Sequence, residues 1–200
     1  MKLKNLIIMA GFLFSIGTGN LFAQQSKVKI KVDTLPTALL IIDVQDFYFP
    51  GGKIPLVNPE AASEKAAAVL TMFRSQKLPV IHIQHTGGDP IHKNVAPLAG
   101  EKVITKKEAN GFNGTDLLNY LMTLKVKRLV ICGMQTQMCV EATTRAAYDL
   151  GFKCIVVEDA CATRNLKYGR RTIFATDVQA CALTIMNGYY ASVIPVAGLE

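Results

Sequence analysis

Four short apolar runs constrain this chain more than any other feature: TALLIID (37–43), PVIHIQ (79–84), RLVIC (128–132) and CIVVED (154–159). Each is rich in β-branched residues and apolar at nearly every position, which suits a strand only when both of its faces are buried. VIT (103–105) and SVIPV (192–196) are weaker runs of the same kind. Helical patterns lie between them. Asn58-Pro59 followed by EAASEKAAAVLTMFRSQ reads as an N-cap, a proline at the first helical position and an amphipathic helix. Thr115 is placed to cap DLLNYLMTL, Thr136 to cap a helix running to Leu150, and Gly151 to end that helix. A last helix covers residues 173–187. Strand and helix in alternation, joined by right-handed crossovers, predict an α/β fold: a three-layer α/β/α sandwich around a mainly parallel, Rossmann-like sheet.

The segment before the first run is of another kind. MKLKNLIIMAGFLFSIGTGNLFAQQ has a cationic tip, an apolar stretch from Leu6 to Ile16, and Ala23 before Gln24, which is the anatomy of a signal peptide over residues 1–23. The apolar stretch is well short of the roughly 20 residues that span a bilayer. The expectation is export to the periplasm or the medium, with no stable membrane association after cleavage. A linker over 24–36 and one domain over 37–200 complete the chain. The five cysteines (Cys132, Cys139, Cys154, Cys161, Cys181) are odd in number and show no CxxC or CxxH spacing, so one thiol at least stays unpaired and structural zinc is disfavoured. The formal charge of +7 is scattered. Its dense pairs, Lys106-Lys107 and Arg170-Arg171, form no stripe with interleaved aromatics, so no nucleic-acid partner is expected.

In open parallel sheets, ligands bind beyond the carboxyl ends of the strands, where strand order reverses. Asp43 closes the first run, Lys106 comes directly after the VIT run, and Cys139 lies just past the RLVIC run in GMQTQMCVEATTRAAYDLGF. A carboxylate, an ammonium and a thiol thus arrive at one sheet edge from three loops. A helix N-terminus and a nearby lysine both lower a thiol pKa, and an aspartate within reach can take its proton. The thiolate can then attack an amide carbonyl, with backbone N–H groups of Gln135 and Cys139 placed for the oxyanion. Singly, each residue has a plainer role: a turn aspartate, a solvated lysine, a buried inert cysteine. Their convergence is what points to chemistry.

IIDVQDFYFPGGK, VITKKEANGFNGTDLLNYL and CGMQTQMCVEATTRAAYDLGFKCIVVEDACATRNL closely resemble the isochorismatase-like cysteine hydrolases, which include nicotinamidases and related amidases. The resemblance runs over about residues 37–196. It implies a six-stranded parallel α/β/α fold, with Asp43 as general base, Lys106 (rather than Lys107) as cationic partner and Cys139 as nucleophile. It also implies a cis peptide at Met134–Gln135, Tyr48 and Met138 as pocket-wall side chains, and a homo-oligomer. The small-molecule substrate would be cleaved at an amide-type C–N bond through a thioester. The departures bear on the substrate. Asp46 and Phe47 replace the usual Asn-Asp pair, and Gln84 stands where nicotinamidases carry the aspartate of a metal-binding Asp-x-His. His82, His85 and His92 do not restore that spacing, so neither a metal nor another cofactor is expected. The loop over 86–102 is short for the family, and DACATR (159–164) reads as a supporting loop after the fifth strand. Competing readings are a vinyl ether hydrolase of the isochorismatase type, a His85–Cys139 dyad, a redox protein using Cys139 and Cys161, and a non-catalytic binding module.

Overall fold

The computed structural model describes residues 31–87 and 89–200; the signal-peptide expectation for residues 1–23 lies outside them. β1 (Thr37–Ile42) is buried at every position and leads through a short 3-10 turn at Asp46–Tyr48 to helix α1 (Pro59–Ser75). β2 (Val80–His85), β3 (Lys102–Lys106), α2 (Leu117–Thr123) and β4 (Arg128–Met134) come next. A π-helical turn, Thr136–Val140, runs directly into α3 (Glu141–Asp149). β5 (Lys153–Ala162), the hairpin strands β6 (Leu166–Tyr168) and β7 (Arg171–Ile173), α4 (Ala175–Met186) and β8 (Ser192–Ile194) complete the order.

Six strands form one parallel sheet in the order β3-β2-β1-β4-β5-β8. The chain builds outward from β1 to β3, then returns to β4 beside β1 and builds the other way. The order therefore reverses between β1 and β4, and a crevice opens at their carboxyl ends. The core is what the apolar runs require: Leu39, Leu40, Ile42, Leu129, Val130, Ile131, Val156 and Val157 are all wholly excluded from solvent, with Phe73, Ala66, Val69 and Leu121 covering the sheet from helices.

Several local expectations are corrected. Asn58 precedes α1 with Pro59 at its first position, but Asn58 is left-handed (φ 52°) and its side chain makes no capping bond. Thr136 does not cap either. Its hydroxyl donates to Gln179 Oε1 at 2.6 Å, tying the π turn to α4. Thr115 accepts the Leu117 N–H at 3.3 Å and so does serve the start of α2. Gly151, at φ 89°, ends α3 as its position predicts. β4 continues two residues past its apolar run, to Met134. β5 continues to Ala162, so most of DACATR is strand, with a register shift that sets Cys161 opposite Gly133 and Ala162 opposite Met134. Residues 31–36 are not a detached tether: Val32 is fully buried, its N–H bonds the Glu200 carbonyl, and Arg128 holds the Lys31 carbonyl.

Candidate active site

Asp43 stands one residue beyond β1, at φ 50°, a left-handed conformation that aspartate tolerates better than most residues. Its N–H still bonds the Ile83 carbonyl of β2 at 2.8 Å, so the backbone leaves the sheet only after Asp43 is fixed. Lys106 is the last residue of β3, paired in register with His85 of β2. Strands lie about 4.8 Å apart, so β3 stands roughly 10 Å from β1. The four-carbon stem of Lys106 reaches across the end of β2, and the Asp43 side chain meets it to close that gap. Lys106 Nζ donates to Asp43 Oδ2 at 2.7 Å and to Cys139 Sγ at 3.3 Å. The Asp43 and Lys106 side chains have no solvent exposure, and Cys139 is 5% exposed.

Cys139 lies inside the π turn rather than at the start of a regular helix. Its approach is set by β4: Gly133 adopts φ 129°, and a β-carbon there would collide with the Ile42 carbonyl oxygen. The Met134–Gln135 peptide just after it is cis, at the position the family resemblance implies.

The electrostatics differ from the sequence expectation. Burial pushes the Cys139 thiol up, to about 12, and the neighbouring Asp43 carboxylate adds to the rise while Lys106 opposes it. The lowering expected from a helix terminus and a lysine is outweighed, because the thiol is desolvated and faces an anion. Burial likewise raises the Asp43 carboxyl above the ordinary carboxylate range, against the pull of Lys106. Asp43 Oδ1 is buried without a hydrogen-bond partner, on the carboxylate whose other oxygen holds Lys106. The thiol thus shares one buried site with the Asp43–Lys106 salt bridge.

The remaining candidates fall into place around this centre. Tyr48 is buried, its phenol pushed up to about 12 by burial, and its hydroxyl accepts from Gln135 Nε2 at 3.4 Å. Met138, next to the thiol, is 46% exposed and sits on the solvent side of the turn. Lys107 lies just past β3 on its exposed side. The histidines serve elsewhere: His85 Nδ1 faces the Thr86 carbonyl, His82 Nε2 faces Glu101, and the His92 ring stacks on Phe49 at 3.7 Å. Among the described residues no group of three or more His, Cys, Asp or Glu side chains is arranged to hold a metal. All five cysteines are unpaired, and the Cys161 thiol is bonded to the Val157 carbonyl.

A second tier of polar side chains was not read from the sequence. Gln135 Oε1 accepts from Gln137 Nε2 at 3.0 Å and from Arg164 Nε at 3.3 Å, and Gln137 Oε1 accepts the Thr163 hydroxyl. Arg164 belongs to DACATR; the signal was present, but only the extension of β5 to Ala162 brings that segment beside the π turn.

Comparison with known proteins supplies independent footing. The isochorismatase domain family matches residues 37–187. The isochorismatase family protein YddQ of Bacillus subtilis is 44% identical over 172 residues, 80% of this chain and 96% of its own. The crystal structure of an isochorismatase hydrolase from Oleispira antarctica superposes with a TM-score of 0.79 at 42% identity, covering 82% of this chain and 95% of that one. Maleamate amidohydrolase of Pseudomonas putida is 29% identical over 167 residues, 70% of this chain and 78% of its own.

Proposed function

Because the chain belongs to the isochorismatase family and is a hydrolase, we propose that it cleaves an amide-type C–N bond of a small molecule by covalent cysteine catalysis. The observation that carries this reading is the position of Lys106 Nζ, 2.7 Å from Asp43 Oδ2 and 3.3 Å from Cys139 Sγ in a closed site. Asp43 takes the thiol proton as the sulfur attacks the carbonyl carbon, and Lys106 stabilises the negative charge that passes between sulfur and carboxylate. The backbone N–H groups of Gln135 and Cys139 receive the oxyanion. Asp43 then returns the proton to the departing amine, leaving a thioester on Cys139. Water, deprotonated by Asp43, attacks that thioester; the C–S bond breaks, the acid is released, and Asp43 returns the proton to the Cys139 sulfur. A raised thiol pKa suits this sequence, since the sulfur stays protonated until a substrate occupies the site and proton transfer to Asp43 accompanies bond formation. A similar protein acting on maleamate, an amide, supports the choice of bond.

The test is turnover of a panel of small primary amides, ureides and isochorismate, with intact-protein mass spectrometry to trap an acyl group on Cys139. Amide turnover with an adduct that Cys139→Ala abolishes is the expected result. Isochorismate turnover without any adduct would replace this reading with vinyl ether hydrolysis, and no turnover at all would favour a binding module.

A further inference from the structure

Two irregularities of the backbone meet beside Cys139, and one side chain holds both. In the turn that carries the thiol, the Val140 N–H bonds the Gln135 carbonyl at 3.3 Å, one residue further back than an α-helix would reach. That extra residue sets where Cys139 faces, since a slip to α pairing would turn and shift whatever follows it. Next to it, β5 changes register against β4: Ile131 lies opposite Val156, but Gly133 lies opposite Cys161. The stretch 157–160 is therefore out of step with β4.

Gln179 of α4 reaches both places. Its Oε1 accepts the Thr136 hydroxyl at 2.6 Å, and its Nε2 donates to the Glu158 carbonyl at 3.3 Å and the Cys161 carbonyl at 3.2 Å. Those partners fix the amide, because a flip would set its oxygen against two carbonyl oxygens. Thr136 opens the π turn and is wholly buried, so without Gln179 its hydroxyl has no water to turn to. Gln135 and Gln137 are tied to Arg164 and Thr163, just after β5, and the bond to Gln179 adds a restraint from α4.

Building on the cysteine-hydrolase reading, we propose that Gln179 is a positioning residue for Cys139: through Thr136 it keeps the π turn in register, and so aims the sulfur and the N–H groups of Gln135 and Cys139 at one carbonyl. Gln179 touches no reacting atom. It acts on geometry, where a displacement of about 1 Å can cost about a hundredfold in rate.

Acylation by p-nitrophenyl acetate isolates the step that needs this aim. The Cys139 sulfur bonds the acetyl carbon, the C–O bond to p-nitrophenolate breaks, and the thiol proton passes to Asp43. Iodoacetamide is the reference, because alkylation of the same sulfur displaces iodide from a saturated carbon and builds no oxyanion. Both reactions are followed at the Cys139 peptide by mass spectrometry in wild type, Thr136→Val, Gln179→Leu, the two combined, and Thr136→Ser. Thr136→Val and Gln179→Leu should each slow acylation about tenfold or more, and alkylation by less than about threefold. The combined variant should be no slower than the worse single one, and Thr136→Ser, which keeps the donor, should retain most of the rate. Acylation within about threefold of wild type in either single variant, losses that multiply when combined, or equal losses in both reactions would overturn the proposal. If Gln179→Leu does not fold, the two Thr136 variants decide by the same criteria. A wild type that is alkylated at Cys139 but takes no acetyl group would sink the cysteine-hydrolase reading alone. Hydrogen exchange of residues 136–140 then decides: faster exchange confined to this segment in Thr136→Val supports the positioning role, and unchanged exchange overturns it.

Discussion

Cys139 has a proton that is hard to lose to water, in a buried site it shares with the Asp43 carboxylate. The thiol is pushed up to about 12 first by burial and second by the Asp43 charge, with Lys106 pulling the other way. Removing the Asp43 charge therefore leaves Lys106 less opposed, and the thiol pKa falls. Asp43→Asn should abolish amide turnover yet speed alkylation of Cys139 by iodoacetamide near pH 8, measured as the rate of mass gain. A slower alkylation would mean that Asp43 does not burden the thiol. On the proposed mechanism Asp43 must be ionised to act as base, and burial raises its carboxyl above the usual 3.8. Turnover thus falls as pH drops through a value higher than an exposed aspartate would give. At this scale the sequence was informative about which residues meet and poor about their environment. Asp43, Lys106 and Cys139 were legible because each comes just after an apolar run, and the edge of a parallel sheet gathers the residues that lie beyond its strands. The direction of the thiol shift was not legible, because burial depends on how the loops close over the site.

At the scale of elements, the far end of the loop from β2 to β3 is held by a polar knot around Glu101. Glu101 accepts from Arg74 Nε at 2.7 Å and Nη2 at 2.8 Å, from the Leu98 N–H at 2.8 Å, and faces His82 Nε2 at 2.9 Å. Arg74 foremost holds the Glu101 carboxyl down, from 4.5 to about 2. His82 is lowered by burial, so the neutral ring donates through Nε2. A depressed carboxylate stabilises the fold above its unfolded pKa, and that contribution disappears as pH falls from about 4.5 towards 2, with a ceiling of about 3 kcal/mol. Arg74→Met should lower stability by about 1–2 kcal/mol at pH 7, and the gap to wild type should shrink as pH falls below about 4. Urea unfolding at pH 7 and pH 3 measures both. The helices and central strands were readable from periodicity. The β6–β7 hairpin was not, because Leu166–Tyr168 and Arg171–Ile173 are three-residue strands, exposed at five of six positions, too short to show a pattern. Only Gly169, at φ 59° between them, marks the turn. The π turn was missed for a similar reason, since a five-residue irregularity before α3 looks like an ordinary capped start.

For the whole molecule, thiol accessibility is uneven. Cys132, Cys139, Cys154 and Cys161 are buried and Cys181 is exposed on α4. Titration of the native protein with a chromogenic disulfide should show one fast thiol, lost in Cys181→Ser, and the remainder only on denaturation. Two or more fast thiols would mean that the site opens to solvent more readily than its burial indicates, and would revive a redox role for Cys139. The sheet order was within reach of the sequence as a class, since apolar runs alternating with helices admit few arrangements. The register shift in β5 was not, because a bulge is decided by packing against β4 and β8 and not by local pattern.

The span of Lys106 across the end of β2 has a consequence for assembly. Its two partners lie 63 residues earlier and 33 residues later, on the loop after β1 and after β4. The ammonium, carboxylate and thiol therefore meet only when three crossovers have closed in the correct order and register. On the proposed mechanism, hydrolytic activity is in effect a logical AND over the long-range pairings of four of the six strands. A chain divided in the β2–β3 loop separates Asp43 from Lys106 and Cys139, so each piece is silent alone. Signal from the mixed pieces would report their docking, which makes this triad a natural read-out for a split-protein sensor.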